Sequence, residues 1–488
     1  MHPRPKSLPI SYADVSPILI KLIVAFGAIQ VIGFLVFEFR LSDNTPAGLG
    51  GRLALLRSTN SAAQFEASNQ PSLPLYQVPS LFQDEYDKID SDNDADRCKR
   101  YGYTYNAAMA KTPRRLFFGT MIADEHWDVF LAHATEAYDV YHVVALVESN
   151  TTHMATPRTM RFHEGSPAWK KLMEEKLFGK NTNIFVDYWL EDEKELLEMN
   201  RECTQRVSIV DRWVKEGMTE HDVGIMADID EVFSRDFLRA AQVCDIPQFA
   251  PGQTCQKPKL VAATISFESS PECIKHKPWF HPDMVSGQCI EGVGDSTERI
   301  IPKRSFKRKY GARTKEYGGQ SVEDFSEEIR KSGRFPLYNG ADMRINPGDS
   351  GEPGHWRDKP GSYNGKQEEI WGIAYHFHNF FDSLQVLRSK YRYFAHPDHL
   401  AFKKHLGQLE YDLDVLVRCV KKLPIQAHRS PETRGVFSGG YTGTVGNKPI
   451  FFLNATYRQQ RHEQITRLVM EDEVLYGSDY DKNGNYTG

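Results

Sequence analysis

Three carboxylates stand within four positions at the end of an apolar segment. The stretch VGIMADIDEVF, residues 223–233, ends a run of small and apolar side chains in Asp228, Asp230 and Glu231. Like charges this close make one another harder to ionise. A divalent cation held by Asp228 and Asp230 would neutralise them. The alternative interpretation is a solvated surface cluster.

A second stretch whose side chains could bind a metal or transfer a proton is GIAYHFHNFF, residues 372–381. It predicts a short strand on which His376 and His378 share one face. A neutral imidazole can bind Mn²⁺ and can also act as a base. The alternative for His376 is a hydrogen-bonded histidine that packs beside Phe377 and Phe380. We expect His378 either at the surface or in contact with the residues that bind the ligand.

The elements that must position these residues alternate between strand and helix. Short apolar runs predict buried strands at 116–122, 140–150, 182–190 and 222–230, and amphipathic patterns predict helices at 123–139, 193–217 and 235–244. This alternation predicts an α/β domain with a mostly parallel central sheet and helices on both faces. Ligands of such sheets bind beyond the carboxyl ends of the strands. Other Asp-x-Asp pairs occur at 412–414 and 479–481, but only Asp228 and Asp230 follow a predicted strand.

The N-terminal segment has the composition of a membrane span. Residues 17–37 are apolar apart from Lys21 and Gln30, and about 20 apolar residues cross the hydrocarbon core of a bilayer. Basic residues precede the segment, which predicts a cytoplasmic N-terminus. A cleaved signal peptide is the alternative, but no small-residue cleavage site follows. We therefore predict a cytoplasmic tail at 1–16 and a single-pass signal anchor at 17–37.

The rest of the chain is predicted to lie in a lumen. Residues 38–112 are rich in Ser, Asn, Gly, Pro and Asp and predict a flexible stem. A luminal domain at 113–425 and a C-terminal extension at 426–488 follow. Three sequons, at Asn150, Asn454 and Asn485, agree weakly with that compartment.

Composition and cysteine usage fit this organisation. The chain has 488 residues, is 40% hydrophobic and carries a formal net charge of −5, so nothing in its charge predicts nucleic-acid binding. All seven cysteines follow the predicted anchor, where disulfides persist. Four of them, Cys244, Cys255, Cys273 and Cys289, cluster and could supply one or two bridges. The odd total leaves at least one thiol unpaired within the chain. The sequence does not indicate an oligomeric state.

Four blocks of the sequence resemble glycosyltransferase family 17. They read ALVESNTTHMATPRTMRF, NRECTQRVSIVDRWV, GIMADIDEVFSRDFL and GIAYHFHNFFDSLQVLRSKYRYFAHPD. The first three occur in order within residues 115–240, and the fourth lies near 372–397. The family is that of β-1,4-mannosyl-glycoprotein β-1,4-N-acetylglucosaminyltransferase, which adds the bisecting GlcNAc to N-glycans.

The resemblance implies a type II Golgi membrane enzyme with a GT-A-like nucleotide-sugar-binding domain. Its donor would be UDP-GlcNAc, and its acceptor a mannose of a glycoprotein N-glycan. Asp228 and Asp230 would hold Mn²⁺ or Mg²⁺ against the diphosphate, because hard cations bind carboxylate and phosphate oxygens. His376 falls where the family has a histidine after an aromatic residue, although Tyr375 replaces a tryptophan there, and it would complete the metal site or act as a base.

The resemblance also implies further site residues. Inversion at the sugar requires a base for the acceptor hydroxyl, and Glu231 and Glu148 are candidates beside His376. Arg201 and Arg206 match basic positions of the family, so one of them would contact the diphosphate or a site carboxylate. The alternative for both is an ordinary solvated helix. Asn150, in the first block, is a further substrate-binding candidate.

Other functions remain open at this stage. A transferase that uses another nucleotide sugar would share every feature above. A degenerate, membrane-anchored glycan-binding protein would share the anchor, the stem and the fold. A glycosidase is disfavoured, because its paired acids would leave the metal-type cluster unexplained.

Overall fold

The structure is a computed structural model, and parts of the chain beyond residue 80 are described. The described residues are 81–153, 156–190, 198–252, 255, 259–294, 337–338, 340, 342–344, 362–363, 369–381, 387, 416, 419–420, 444–445, 448–451 and 455–476. None of the described helices is long and apolar enough to cross a membrane. The predicted anchor at 17–37 lies outside the described residues.

The described elements alternate as an α/β chain. The helices are α1 (Gln83–Asp90), α2 (Asp94–Arg100), α3 (Ala107–Lys111), α4 (Trp127–Ala137), α5 (Glu198–Lys215), α6 (Arg235–Val243) and α7 (Ala455–Tyr476). The strands are β1 (Thr104–Tyr105), β2 (Leu116–Ile122), β3 (Val143–Ser149), β4 (Asn183–Trp189), β5 (Val223–Met226), β6 (Glu231–Phe233), β7 (Cys244–Asp245), β8 (Lys259–Glu268), β9 (Ile274–Ser286), β10 (Ser362–Tyr363), β11 (Glu369–Trp371), β12 (Ala374–His378) and β13 (Thr444–Val445). Short helical turns lie at Pro167–Trp169, Lys170–Glu174, Pro247–Phe249, Gly287–Cys289 and Asp342–Arg344.

The central sheet has eight strands in the order β4-β3-β2-β5-β9-β8-β12-β6. The four strands from β4 to β5 are parallel, which confirms the four predicted strands and their arrangement. Beyond β5 the sheet becomes mixed: β9 is antiparallel to both β5 and β8, β12 is parallel to β8, and β6 is antiparallel to β12. The fold is therefore mixed α/β, with a parallel half and a mixed half.

Helices cover both faces of the parallel half, because its strands bury alternate residues on opposite sides. Val144 and Leu146 of β3 belong to the core that contains α4. Val143, Ala145 and Val147 of the same strand belong to a second core, which contains part of α5. Because both faces of these strands are buried, apolar residues occupy successive positions and form continuous apolar runs in the sequence.

Two glycines bring α5 close to the sheet. A Cβ atom on Gly119 of β2 would lie 2.0 Å from Cγ2 of Ile209, and one on Gly224 of β5 would lie 2.6 Å from the Trp213 ring. Trp213 also donates its indole N–H to the carbonyl of Phe118, at 3.1 Å. This close contact fixes α5, which carries Arg201 and Arg206, against the strands that lead to the carboxylate loop.

The predicted stem does not extend to residue 112. Its described part, residues 81–112, contains α1, α2, β1 and α3, and Phe82, Tyr86 and Tyr101 are buried in the main core. Cys98 of α2 is joined to Cys244. Asp90, at the end of α1 within the predicted stem, also ties this segment to the domain, because it accepts hydrogen bonds from Arg235 and Arg239.

Three disulfides join the described cysteines. Besides Cys98–Cys244, they are Cys255–Cys289 and Cys273–Cys419, and Cys203 takes part in none of these disulfides. The cysteine cluster therefore supplies one internal bridge, and its other two members reach distant partners. Sequence spacing could not indicate these pairs, since each spans 146 residues. The prediction that at least one cysteine lies outside the disulfides of the chain is confirmed by Cys203.

The described part of the predicted C-terminal extension belongs to the same fold. Strand β13 pairs with β11, and Ile450 and Phe451 are buried in the main core. Arg461 of α7 is buried and donates to the carbonyls of Ser269 and Phe381. The boundary predicted at residue 426 therefore does not separate an appendage from the domain.

Candidate active site

The carboxylate loop, residues 227–230, leaves the carboxyl end of β5 and leads into β6. The side chain of Asp228 is 45% exposed, and that of Asp230 is 21% exposed. The loop is held from the strand side, because the backbone N–H of Phe377 donates to the carbonyl of Asp230 at 2.8 Å. Both carboxylates thus lie at the edge of the sheet where ligands of α/β proteins bind.

Arg344 is the central cation of the cluster. Its guanidinium donates to Asp228 Oδ2 at 3.0 Å and to both carboxylate oxygens of Glu231. It also lies 3.5 Å from Asp283 Oδ2. A planar guanidinium suits such forked contacts. Three carboxylates therefore share one buried arginine.

Glu231 is held on both of its oxygens. Besides Arg344, the indole N–H of Trp279 donates to Oε1, and the backbone N–H of Asp228 donates to Oε2 at 2.9 Å. The side chain is buried. With these donors in place, Glu231 is arranged to fix Asp228 and Trp279 in position.

A second buried ion group supports the first. Asp283 of β9 contacts the Lys259 ammonium at 2.8 Å and the imidazole of His281. Burial would raise the pKa of Asp283, but His281 and Lys259 hold it at about 2. The pKa of Asp228 also lies below its ordinary range: its partial burial would raise it, and the guanidinium groups of Arg344 and Arg206 lower it further than that. Both carboxylates are therefore charged at neutral pH.

His376 lies on β12 directly opposite Glu231 of β6. Its Nε2 atom is 3.5 Å from Asp230 Oδ2. The ring stacks on the indole of Trp279, with centroids 5.4 Å apart and planes at 29°. His378 lies 5.0 Å from His376, ring to ring, and contacts the buried carboxylate of Glu268 at 2.8 Å. The two histidines thus meet on one face, as the strand spacing predicts.

The helix α5 brings Arg206 to the loop. Its guanidinium lies 3.3 Å from Asp228 Oδ1 and also contacts Glu202, one turn earlier on the helix. Arg201 is buried and donates to the carbonyl of His153 at 3.1 Å. Neither arginine lies on a solvated helix face. Arg206 contacts the site carboxylate, and Arg201 ties α5 to the segment after β3.

Glu148 and Asn150 lie at the end of β3. Glu148 is buried, and its two oxygens accept from the backbone N–H groups of Arg161 and Phe162 at 2.6 and 2.8 Å. Burial raises the pKa of Glu148. The backbone of Asn150 bonds to Trp189 and Arg158. These contacts show Glu148 organising the loop that follows β3, and no contact to the Asp228 cluster is seen for it among the described residues.

His133 supports the loop from the core. Its Nδ1 atom lies 3.0 Å from the carbonyl oxygen of Ile229, the residue between the two aspartates, and its Nε2 atom lies 3.1 Å from the Tyr141 hydroxyl. Burial lowers the pKa of His133 to about 4, so the ring is neutral at pH 7. A neutral ring with its proton on Nδ1 donates to Ile229 and accepts from Tyr141.

The donor set can be compared with what a divalent cation requires. Carboxylate oxygens with an imidazole nitrogen suit Mn²⁺, and Asp228, Asp230 and His376 supply them. Among the described residues, however, one set of three His, Cys, Asp or Glu side chains has all its ligand atoms within 4.8 Å of one another, and it consists of Cys273, Cys419 and His462. Two of these are joined in a disulfide. The donor types of Asp228, Asp230 and His376 fit a hard cation, but their ligand atoms do not all lie within 4.8 Å of one another, and Asp228 is already paired with Arg206 and Arg344.

Sequence reasoning missed Arg344, Trp279, Asp283 and His133. Arg344 stands 113 residues from Glu231, in a stretch without periodicity. Trp279 and Asp283 belong to the segment KPWFHPDM, in which Trp279, His281 and Asp283 stand at alternate positions. This spacing is the signal that could have placed them on one face of a strand.

Comparison with known families adds to this geometry. Residues 69–251 match the family model described as glycosyltransferase family 17. The matched range contains Asp228, Asp230 and the first three resembling blocks, and it ends before the fourth. No curated protein matches the chain. This match and the mixed α/β sheet support a glycosyltransferase domain. Residues 69–251, which are less than half of the chain, are similar to glycosyltransferase family 17.

Proposed function

We propose that this protein transfers GlcNAc from UDP-GlcNAc to a mannose of an N-glycan, with a β-1,4 linkage and inversion at the sugar. The observation that supports the proposal most strongly is that the family match covers the Asp228–Asp230 loop, which lies at the carboxyl end of the parallel strands. Two arginines beside the loop, Arg206 and Arg344, fit a ligand that carries negative charge.

The proposed reaction also uses Mn²⁺ or Mg²⁺. Asp228 and Asp230 would hold the ion, and His376 would either complete its ligands or act as the base. When bound, the ion would stabilise the negative charge that develops on the UDP leaving group. Arg206 and Arg344 contribute positive charge at the same place.

The base that receives the acceptor proton is assigned by elimination among three candidates. Glu231 and Glu148 each accept protein N–H groups on both oxygens. His376 is the remaining candidate, and it has two possible roles. As a metal ligand, its loss in His376→Ala would raise the Mn²⁺ concentration needed for half-maximal activity. As a base, its loss would lower turnover at unchanged metal dependence.

The proposal includes a type II orientation in the Golgi membrane, with the catalytic domain in the lumen. The support is the apolar segment at 17–37 with basic residues before it. Protease treatment of intact microsomes should leave a C-terminal tag protected until detergent is added. Digestion of the tag without detergent would contradict this orientation.

The activity is tested with the purified protein, Mn²⁺, a panel of UDP-sugars and a biantennary N-glycan acceptor. We expect transfer from UDP-GlcNAc, and a product whose new β-1,4 linkage is visible by NMR. Transfer from another UDP-sugar alone would replace the donor assignment. Absence of any transfer, with sugar binding retained, would favour a glycan-binding protein.

The loop carboxylates are tested in the same assay. Asp228→Ala and Asp230→Ala should each reduce transfer more than about tenfold, which corresponds to roughly 1.4 kcal/mol. Asp245→Ala, in the separate β1–β7 ribbon, is the matched control. More than about a tenth of wild-type activity in either loop variant would contradict the ligand role.

A further inference from the structure

Trp279 is a large aromatic side chain that stays exposed beside the carboxylate cluster. It is 41% exposed, although apolar rings of this size are ordinarily buried. Its position is nevertheless fixed. The indole N–H donates to the buried carboxylate of Glu231, and the ring stacks on His376.

The surroundings of Trp279 indicate what kind of ligand it faces. Its ring also meets that of His281 at 5.5 Å, and Glu231 in turn is held by Arg344. An apolar protein partner placed on the indole would also take water away from the partly exposed carboxylates of the same cluster, Asp228 and Asp230, which is costly. A ligand that combines an apolar face with hydroxyl groups at its rim would cover the ring and satisfy the polar groups.

A pyranose ring has that combination. Its C–H groups form a face with partial positive charge, which complements the negative face of an aromatic ring. We propose that Trp279 is the stacking surface for a pyranose ring bound at the Asp228 cluster. This rests on the proposed function, and the ring is either the sugar of the donor or the sugar of the acceptor. The fixed indole costs little entropy on binding, because its orientation is set before the ligand arrives.

The test separates stacking from the hydrogen bond to Glu231. Trp279→Ala removes both the ring and its N–H, whereas Trp279→Phe keeps an aromatic face and removes the N–H. We expect Trp279→Ala to raise KM for one sugar substrate about tenfold, and Trp279→Phe to stay close to wild type. Tyr105→Ala is the matched control, because Tyr105 is similarly exposed, at 38%, and lies on the separate β1–β7 ribbon.

The substrate whose KM changes identifies the sugar. A higher KM for the N-glycan acceptor, with an unchanged KM for UDP-GlcNAc, assigns the acceptor ring. The opposite result, accompanied by slower donor hydrolysis without acceptor, assigns the donor ring. Unchanged KM values in Trp279→Ala would overturn the proposal. A Trp279→Phe variant as impaired as Trp279→Ala would also overturn it, since the N–H to Glu231 would then carry the effect.

Failure of the proposed function can be recognised separately. Saturation-transfer NMR measures binding of UDP-GlcNAc and of the free glycan without catalysis. A wild-type protein that binds a sugar, and a Trp279→Ala variant that binds it about tenfold more weakly, would support the stacking surface even without transfer. Equal binding by the two proteins would overturn the surface while leaving transfer activity in place.

Discussion

At the scale of single residues, Arg344 explains how the cluster of carboxylates is tolerated. Like charges at Asp228 and Glu231 would repel each other, but one guanidinium contacts both and also approaches Asp283. Arg206 adds a second contact to Asp228. The compensating charge that the sequence requires is therefore at least partly built into the protein. A cation bound by the carboxylates would be repelled to some extent by the guanidinium groups of Arg344 and Arg206.

Removal of Arg344 should be costly, because it leaves buried carboxylates without their partner. We expect Arg344→Ala to lower the free energy of unfolding by about 3–5 kcal/mol. Arg344→Lys keeps the charge but loses the fork, so its loss should be smaller. Urea unfolding followed by circular dichroism measures both.

The control for Arg344 is an arginine in an exposed ion pair. Arg458 lies 3.3 Å from Glu272, and both side chains are more than a third exposed. Arg458→Ala should cost about 1 kcal/mol or less, because surface pairs contribute little. An equal decrease in the free energy of unfolding in Arg344→Ala and Arg458→Ala would show that the buried contacts of Arg344 stabilise the fold no more than a surface ion pair does.

His133 offers a second prediction, about positioning. His133→Phe fills similar space but removes the N–H that the Ile229 carbonyl accepts. We expect stability to fall by about 1–3 kcal/mol, because a buried carbonyl loses its donor. We also expect kcat to fall while KM for UDP-GlcNAc changes less, since the loop shifts without losing its charges.

The control for His133 is Tyr141→Phe, which removes only the hydroxyl at the other ring nitrogen. It should keep most of the turnover. If Tyr141→Phe lowered kcat as much as His133→Phe, packing around the pair would explain the effect, and the contact to Ile229 would not.

At the scale of elements, the close approach of α5 to the sheet depends on glycine. Gly119→Ala should destabilise the domain by about 1–3 kcal/mol, because its Cβ would overlap Ile209. In a background of Ile209→Ala, the same change should cost less, since the nearest overlapping atom, Ile209 Cγ2, is absent and only the Trp213 ring, at 2.9 Å, still lies too close. Unfolding of the two single variants and the double variant gives the coupling energy. Strict additivity would contradict the packing explanation.

Half of the sheet could be predicted from the sequence, and the reason is its burial. The strands β2 and β3 are covered on both faces, and the edge strand β4 is partly buried, so each appears as a short apolar run between helices. The strands β8 and β9 mix polar and apolar residues, and β9 carries Trp279, His281 and Asp283 toward the site. Their pairing with β5 and β12 links distant parts of the chain, which no local pattern encodes.

The site shows the same division. Asp228 and Asp230 could be found because a strand prediction placed them at its carboxyl end. Arg206 could be found through a resembling block. Arg344 and His133 could not, because each acts through a contact made only when the chain is folded, to residues 116 and 96 positions away.

At the scale of the whole molecule, chain segments far apart in sequence close on the same core. Glu136 of α4 shows this most directly, because its carboxylate accepts from the backbone N–H of Arg235 at 2.8 Å and from that of Ile450. One buried side chain thus ties α4, the start of α6 and the segment before α7 together. The C-terminal segment is bound through a group that titrates.

Glu136 should make stability depend on pH. Burial raises its pKa from 4.5 to about 7, and the two backbone N–H groups only partly oppose this. The folded protein therefore binds the proton more tightly than the unfolded chain. The stabilising contribution is complete below pH 4.5 and is lost as the pH rises through 7.

In Glu136→Gln this contribution is absent, so wild-type stability minus variant stability should be about 2 kcal/mol larger at pH 5 than at pH 7.5. Urea unfolding at the two pH values measures this difference, with the exposed Glu175→Gln as the control for loss of a charge. A difference that is constant or grows with pH would mean that Glu136 stays ionised in the folded protein, held by its two N–H donors and the nearby Arg235.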